Sequence, residues 1–198
     1  AEAKRLVTVA KLHTEYLHVL CGKDKDVDNL YDLAGMDNAS IALGDAGSGA
    51  WLIWQNFVYE DDSYGKIATT TDSGIDAIAS AASGSVTCTI VPAALGNKTV
   101  AEADELYGSD LKLVGATDKD FNDAVDIEGK PLYDWGKIPS GTYPQNLQAG
   151  WFTSEETVKW RAGVYMNTSR ITDAKAKSSF IRAVARARAG IVQSFGGE

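Results

Sequence analysis

Between Ser40 and Val114, short apolar runs alternate with stretches of helical spacing, and this alternation constrains the fold more than any other feature of the sequence. Ser40 to Leu43, Ile67 to Thr71, Val86 to Val91 and Leu111 to Val114 read as strands. Ala50 to Tyr59, Gly74 to Ala82 and Val100 to Tyr107 carry apolar residues at helical spacing, with Asp72 or Ser73 as an N-cap and Gly84 as a stop. Strand, helix and strand at such short intervals are the pattern of an α/β domain with a largely parallel sheet.

The flanks are read in the same way. Leu6 to Ala10 and Tyr16 to Cys21 are expected as two short strands, Val27 to Leu33 as a helical turn, and Asp118 to Val125 as a short helix. Gly129 to Pro144 holds three of the four prolines and reads as loop, and Leu147 to Phe152 as a strand. Thr153-Ser154-Glu155-Glu156 reads as an N-cap with acids in the first turn, opening a helix that carries Val158, Trp160 and Val164. A long final helix is expected from Thr172-Asp173, burying Ala176, Phe180, Ile181, Val184 and Ile191.

Composition narrows the function. The 198 residues are 44% hydrophobic, enough for one sizeable core or two small lobes. A formal net charge of -8 argues against a nucleic-acid partner, whose phosphates need clustered Lys and Arg. Arg182, Arg186 and Arg188 form the one basic concentration and read as the solvated end of a helix. No apolar run approaches a bilayer span, and the start Ala1-Glu2-Ala3-Lys4 reads as that of a mature or trimmed chain. Cys21 and Cys88 lie in apolar strand-like runs and are expected as buried free thiols, a bridge being open only if the two strands are neighbours. Without CxxC spacing or a His-rich cluster, no metal is expected.

The chemistry concentrates at Ile41 to Trp51, a strand, a glycine-rich turn and a helix start. Backbone N–H groups in such a turn approach a ligand closely and the helix N-terminus adds partial positive charge, so an anion is the natural guest. The Lys of a Walker A loop is absent and the glycine spacing does not fit GxGxxG. The expected ligand contacts are Gly47, Ser48, Gly49, Ala50, Trp51 and Pro92, with Trp51 and Trp54 either flanking the ligand or packing in the core. His13 and Glu15 share a strand face that His18 does not, so the three do not converge on one site. There is no Gly-x-Ser-x-Gly elbow and no HExxH. No catalytic residue and no cofactor is expected.

Several segments resemble the TAXI-type solute-binding proteins, which serve tripartite ATP-independent periplasmic (TRAP) transporters. Leu12-His13-Thr14-Glu15-Tyr16-Leu17-His18-Val19 is similar to that family's Leu-Tyr-Pro-Glu-Pro-Leu-His-Val segment, and Val27 to Gly35 to the stretch leading to its Asp-Leu-Lys-Gly. Ala42 to Gly49 resembles its Gly-x-Pro-Gly-Ser-Gly signature, Ala77 to Val91 its small helix, glycine and strand, and Ile138-Pro139-Ser140-Gly141-Thr142-Tyr143-Pro144 its most specific loop. Ala46 stands where the family has Pro, Ala50 where Thr or Ser is common, and Thr87 where an acid is usual. The family also has a longer stretch before the equivalent of Leu6.

The resemblance implies a type II periplasmic binding protein fold of two α/β lobes, with mostly parallel sheets flanked by helices and the N-terminal part of one lobe missing. Residues 20–92 would form a ligand-binding lobe, and 1–19 with 93–198 a partial second lobe with hinge crossings and C-terminal helices. It implies a periplasmic or extracytoplasmic receptor for a small carboxylate, with TRAP membrane subunits as partners and a second chain as one source of the missing segment. An α/β enzyme, or a ligand-independent sensory or assembly domain on the same fold, is the alternative.

Overall fold

The computed structural model describes residues 6–125, 129–150 and 153–194. Its centre is one seven-stranded mixed sheet. The strands are β1 (Leu6–Gly22), β2 (Ser40–Ala42), β3 (Ala68–Thr70), β4 (Cys88–Ala93), β5 (Leu111–Val114), β6 (Asp134–Ile138) and β7 (Glu155–Asn167). They lie in the order β3-β2-β4-β1-β7-β6, and β5 pairs with the end of β1. The helices are α1 (Gly49–Glu60), α2 (Gly74–Ala82), α3 (Lys98–Tyr107) and α4 (Ala174–Ser194).

The α/β reading holds where the alternation is strongest. β2 runs parallel to both β3 and β4, linked through α1 and α2. The expectation of a mostly parallel sheet is corrected by the rest, because β1 pairs antiparallel with β4, β5 and β7, and β6 with β7. Side chains alternate across β1 and divide the core. Leu17, Val19 and Cys21 pack with Ile53, Trp54 and Phe57 of α1, whereas Leu20 packs with Ala77, Ile78 and Ala81 of α2 and Val100 and Ala103 of α3. The first core is rich in rings: Phe57 stacks on Phe121 with centroids 3.6 Å apart, beside Tyr64 and Tyr133.

Other expectations are overturned for physical reasons. Leu6 to Ala10 and Tyr16 to Cys21 belong to one 17-residue strand, since the polar residues between them also pair with β7, through register shifts at Thr8/Ala10 and Lys11/Thr14. The helix expected after Thr153 is strand β7: Val158, Trp160 and Val164 fit period two as well as helical spacing, and pairing with β1 and β6 on both edges decides between them. Part of the stretch read as loop is β6. Leu147 to Gly150 is a turn rather than a strand, because the buried Asp104 carboxylate accepts the N–H groups of Gln145, Asn146 and Leu147 and curls the chain. Trp151 and Phe152 lie outside the described residues. The helical turn expected at Val27 to Leu33 is a 3₁₀ helix at Leu30–Gly35, and that expected at Asp118 to Val125 is one at Lys119–Asn122.

The cysteines are not free thiols. Cys21 and Cys88 stand directly opposite each other on β1 and β4 with Cα atoms 4.0 Å apart, and they form a disulfide. The long last helix is present, but its expected burial is not. Val184 is buried, Phe180 and Ile191 are half-buried, and Ala176 and Ile181 are exposed, because α4 lies over a narrow two-stranded ribbon that cannot cover its apolar face.

Candidate functional site

At the carboxyl ends of β2 and β3 the chain turns into helices on opposite faces of the sheet, α1 on one and α2 on the other. A crevice opens where such connections diverge. Here it is a cleft of about 160 Å³ lined by Leu43, Ser48 and Ala50 from the first turn, Asp72, Ser73 and Gly74 from the second, and Val91 and Pro92 from β4. Its floor is made of Ala42, Ala77, Thr89 and Ile90.

Local chemistry shapes the first turn. Ser48 caps α1: its Oγ accepts the N–H of Trp51 at 3.2 Å and donates to the Leu43 carbonyl at 2.8 Å, tying the helix start to the end of β2. The two turns also hold each other, since the Gly44 N–H donates to the Asp72 carbonyl at 2.9 Å. Gly44 has φ +75°, and a Cβ there would sit 3.3 Å from both the Ser48 hydroxyl and the Ser73 Cβ. A side chain at Gly44 would therefore fill the space between the helix starts. Ser73, the N-cap of α2, precedes Gly74. First-turn N–H groups lack intrahelical partners, so both helix starts present donors and partial positive charge.

No Lys, Arg or His lines this cleft, so an anion would be held by backbone dipoles. Asp72 is its one ionisable residue, and its carboxylate accepts a hydrogen bond from Ser80 at 2.9 Å. Of the residues expected at the site, Ser48, Ala50 and Pro92 line the cleft. Gly47 (φ +91°) forms the outer bend, Gly49 approaches the Pro92 ring, and Trp51 turns its half-buried side chain towards the core beside the fully buried Trp54. The second turn, Asp72-Ser73-Gly74, lines the same cleft, although the sequence reading gives Asp72 or Ser73 only as an N-cap. Its signal was present, a strand followed by Asp-Ser-Gly and a helix, but only the fold brings it against the first.

The histidines occupy two places. His13 faces Glu15 at 3.3 Å, and Glu15 also accepts the Trp160 indole N–H at 2.9 Å. His18 is fully buried. Its Nδ1 lies 3.1 Å from the Val91 carbonyl and 3.2 Å from that of Tyr16, and its Nε2 lies 2.8 Å from the Tyr143 hydroxyl. Burial lowers its pKa to about 4, against the raising effect of the two carbonyls. Burial likewise pushes the Tyr143 hydroxyl up to about 12. Among the described residues, no group of His, Cys, Asp and Glu is placed to hold a metal ion, and no helix is long and apolar enough to cross a membrane.

Fold and cleft together define an α/β domain with a small, mainly apolar crevice at its strand ends, rimmed by two serines and one aspartate. The chain belongs to the NMT1-like family, whose model matches residues 1–150. No curated protein matches it by sequence. Among solved structures it is similar to the probable amino-acid ABC transporter extracellular-binding protein ytmK from Bacillus subtilis, with 15% identity and TM-score 0.42 over 59% of this chain and 47% of that one. It is also similar to the arginine-, lysine-, histidine-binding protein ArtJ from Geobacillus stearothermophilus, with 12% identity and TM-score 0.46 over 93% of this chain and 58% of that one. A third is the amino acid ABC transporter substrate-binding protein AbpA from Streptococcus pneumoniae bound to L-arginine, with 11% identity, TM-score 0.46 and coverage of 98% and 60%. The chain spans about half the length of the first structures it matches.

Proposed function

We propose that this chain is part of an extracytoplasmic solute-binding receptor of type II periplasmic binding protein architecture, capturing a small carboxylate ligand for a TRAP transporter. The observation that carries this reading is the meeting of two helix starts, at Ser48 and Ser73, around one cleft closed by Pro92. The ligand contacts in this reading are Gly47, Ser48, Gly49, Ala50, Trp51 and Pro92, and the carboxylate sits against the α1 start. Asp72 adds a counter-charge, which favours a ligand that also carries an ammonium group over a simple dicarboxylate. At about 160 Å³ the cleft is smaller than a whole drug-sized pocket, so it holds the charged end of a ligand whose remainder is covered by a further segment or chain.

Every residue that lines the cleft falls within 20–92, the span that this reading gives to the ligand-binding lobe, with 1–19 and 93–198 as the partial second lobe. The Cys21–Cys88 disulfide suits an oxidising, extracytoplasmic compartment. A receptor of this kind needs no reacting group, and an enzyme would need convergent ionisable residues where the cleft has Asp72 alone.

The reading is tested by thermal unfolding with L-glutamate, L-aspartate, succinate and inorganic phosphate. The amino acids should raise Tm most, since a ligand at a hundred times its Kd adds about 2.7 kcal/mol. Ser48→Ala should reduce that rise, besides costing about 1 kcal/mol as a lost cap. No shift with any of the four probes would sink the carboxylate reading.

A further inference from the structure

We infer that His18 and Tyr143 form a buried latch that fixes the Pro92 rim of the cleft to the Pro139 to Gln148 loop. The inference rests on the receptor reading only in taking that rim to be part of the ligand site. It gives two motifs of the sequence, the one ending in Leu17-His18-Val19 and Ile138 to Pro144, a single role.

The hydrogen-bond chemistry is determined by the partners. Nδ1 faces two carbonyls, those of Val91 and Tyr16, and a carbonyl can only accept, so Nδ1 carries the proton. Nε2 is then a bare acceptor, and the Tyr143 hydroxyl donates to it across 2.8 Å. The backbone N–H groups of Gly96 and Asn97 face the Tyr143 oxygen and favour its charged form, against the burial that raises its pKa. Asn97 is the N-cap of α3, its side chain accepting from Thr99 and Val100. His18 and the Tyr143 hydroxyl thus join β1, the Val91 carbonyl beside Pro92, and the loop.

Two further bonds brace the loop side. Tyr143 N–H donates to the Gln148 side chain at 3.0 Å, and the Asp104 carboxylate takes the next three N–H groups. The imidazole meets no charged side chain: β1 and β4 present carbonyls, the loop presents Tyr143, and Asp104 of α3 acts on Tyr143 alone. A proton added at Nε2 would remove the lone pair that accepts the Tyr143 hydroxyl and set two protons facing each other across 2.8 Å, so the latch as built holds only with His18 neutral.

The test is amide hydrogen exchange on the 198-residue chain with no ligand added, comparing wild type with Tyr143→Phe and Asp104→Asn. Tyr143→Phe should speed exchange about tenfold, the equivalent of one lost hydrogen bond, both in its own loop and across Ala93 to Val100. Asp104→Asn should loosen only Gln145 to Leu147. Bringing wild type below pH 4, after correction for intrinsic exchange, should loosen Ala93 to Val100 as Tyr143→Phe does, and should add little to that variant. Wild-type exchange at Ala93 to Val100 in Tyr143→Phe would overturn the latch, as would an equal increase over every segment. A failed ligand screen would leave this result standing, and a failed latch would leave the screen standing.

Discussion

Leu17 to Gly22 of β1 are buried, whereas Leu6 to Leu12 of the same strand are exposed or half-buried, although both stretches are paired to neighbours. The first stretch has α1 on one face and α2 with α3 on the other, and its two cores hold Trp54, Phe57, Ile78 and Tyr143 fully buried. The second pairs with β7 as a ribbon on which α4 lies, and there only Met166 and Val184 join His13 in burial. A hydrogen-bonded ladder contributes little net free energy once water is counted, so the ribbon is expected to open at lower cost than the sheet it grows from. The cleft belongs to the well-packed part, and the ribbon is the yielding part.

The largest effect that could break this contrast is at Phe57. It is fully buried and stacked on Phe121, so Phe57→Ala should cost about 3–5 kcal/mol in urea unfolding. A cost under about 1 kcal/mol would mean that the aromatic core does not carry the stability of this part.

Next comes pH. His18 titrates at about 4 in the folded protein against 6.5 as a free side chain. Between those values the unfolded chain binds a proton that the folded chain refuses, so acid favours unfolding. Stability from this group is complete above about pH 6.5, falls as pH drops towards 4, and levels off below, by about 3 kcal/mol in all. His18→Phe should flatten that dependence, measured as unfolding free energy against pH. If its slope between pH 6.5 and 4 matches wild type, another group is responsible.

The same contrast explains what could be read from the sequence. Between Ser40 and Val114 each strand is short and each helix buries one face, so local pattern and tertiary need agree; Gly74–Ala82 and Leu111–Val114 fall where expected. β7 was misread because Glu155-Glu156 looks like a first helical turn, while the partners that make it a strand lie on β1, far away in sequence. The disulfide was hidden for the same reason, since only the antiparallel register sets Cys21 opposite Cys88. At the cleft, the Ser48 turn was legible as an N-cap and anion cradle, but Asp72 and Ser73 become part of it only through the parallel pairing of β2 with β3.

The smallest effect is the sharpest probe of the ribbon. Ile181 sits on the apolar stripe of α4, where helical spacing calls for burial, yet it is 45% exposed. Alanine is the better helix former and little apolar area is lost, so the two changes nearly cancel and Ile181→Ala should shift stability by less than about 0.5 kcal/mol. Val184, one turn along and buried, should cost about 1 kcal/mol or more when cut to alanine. The difference between these two neighbours, measured in one urea series, reads how much cover α4 has. If Ile181→Ala costs as much as Val184→Ala, the stripe is covered in solution and the ribbon is as well packed as the sheet.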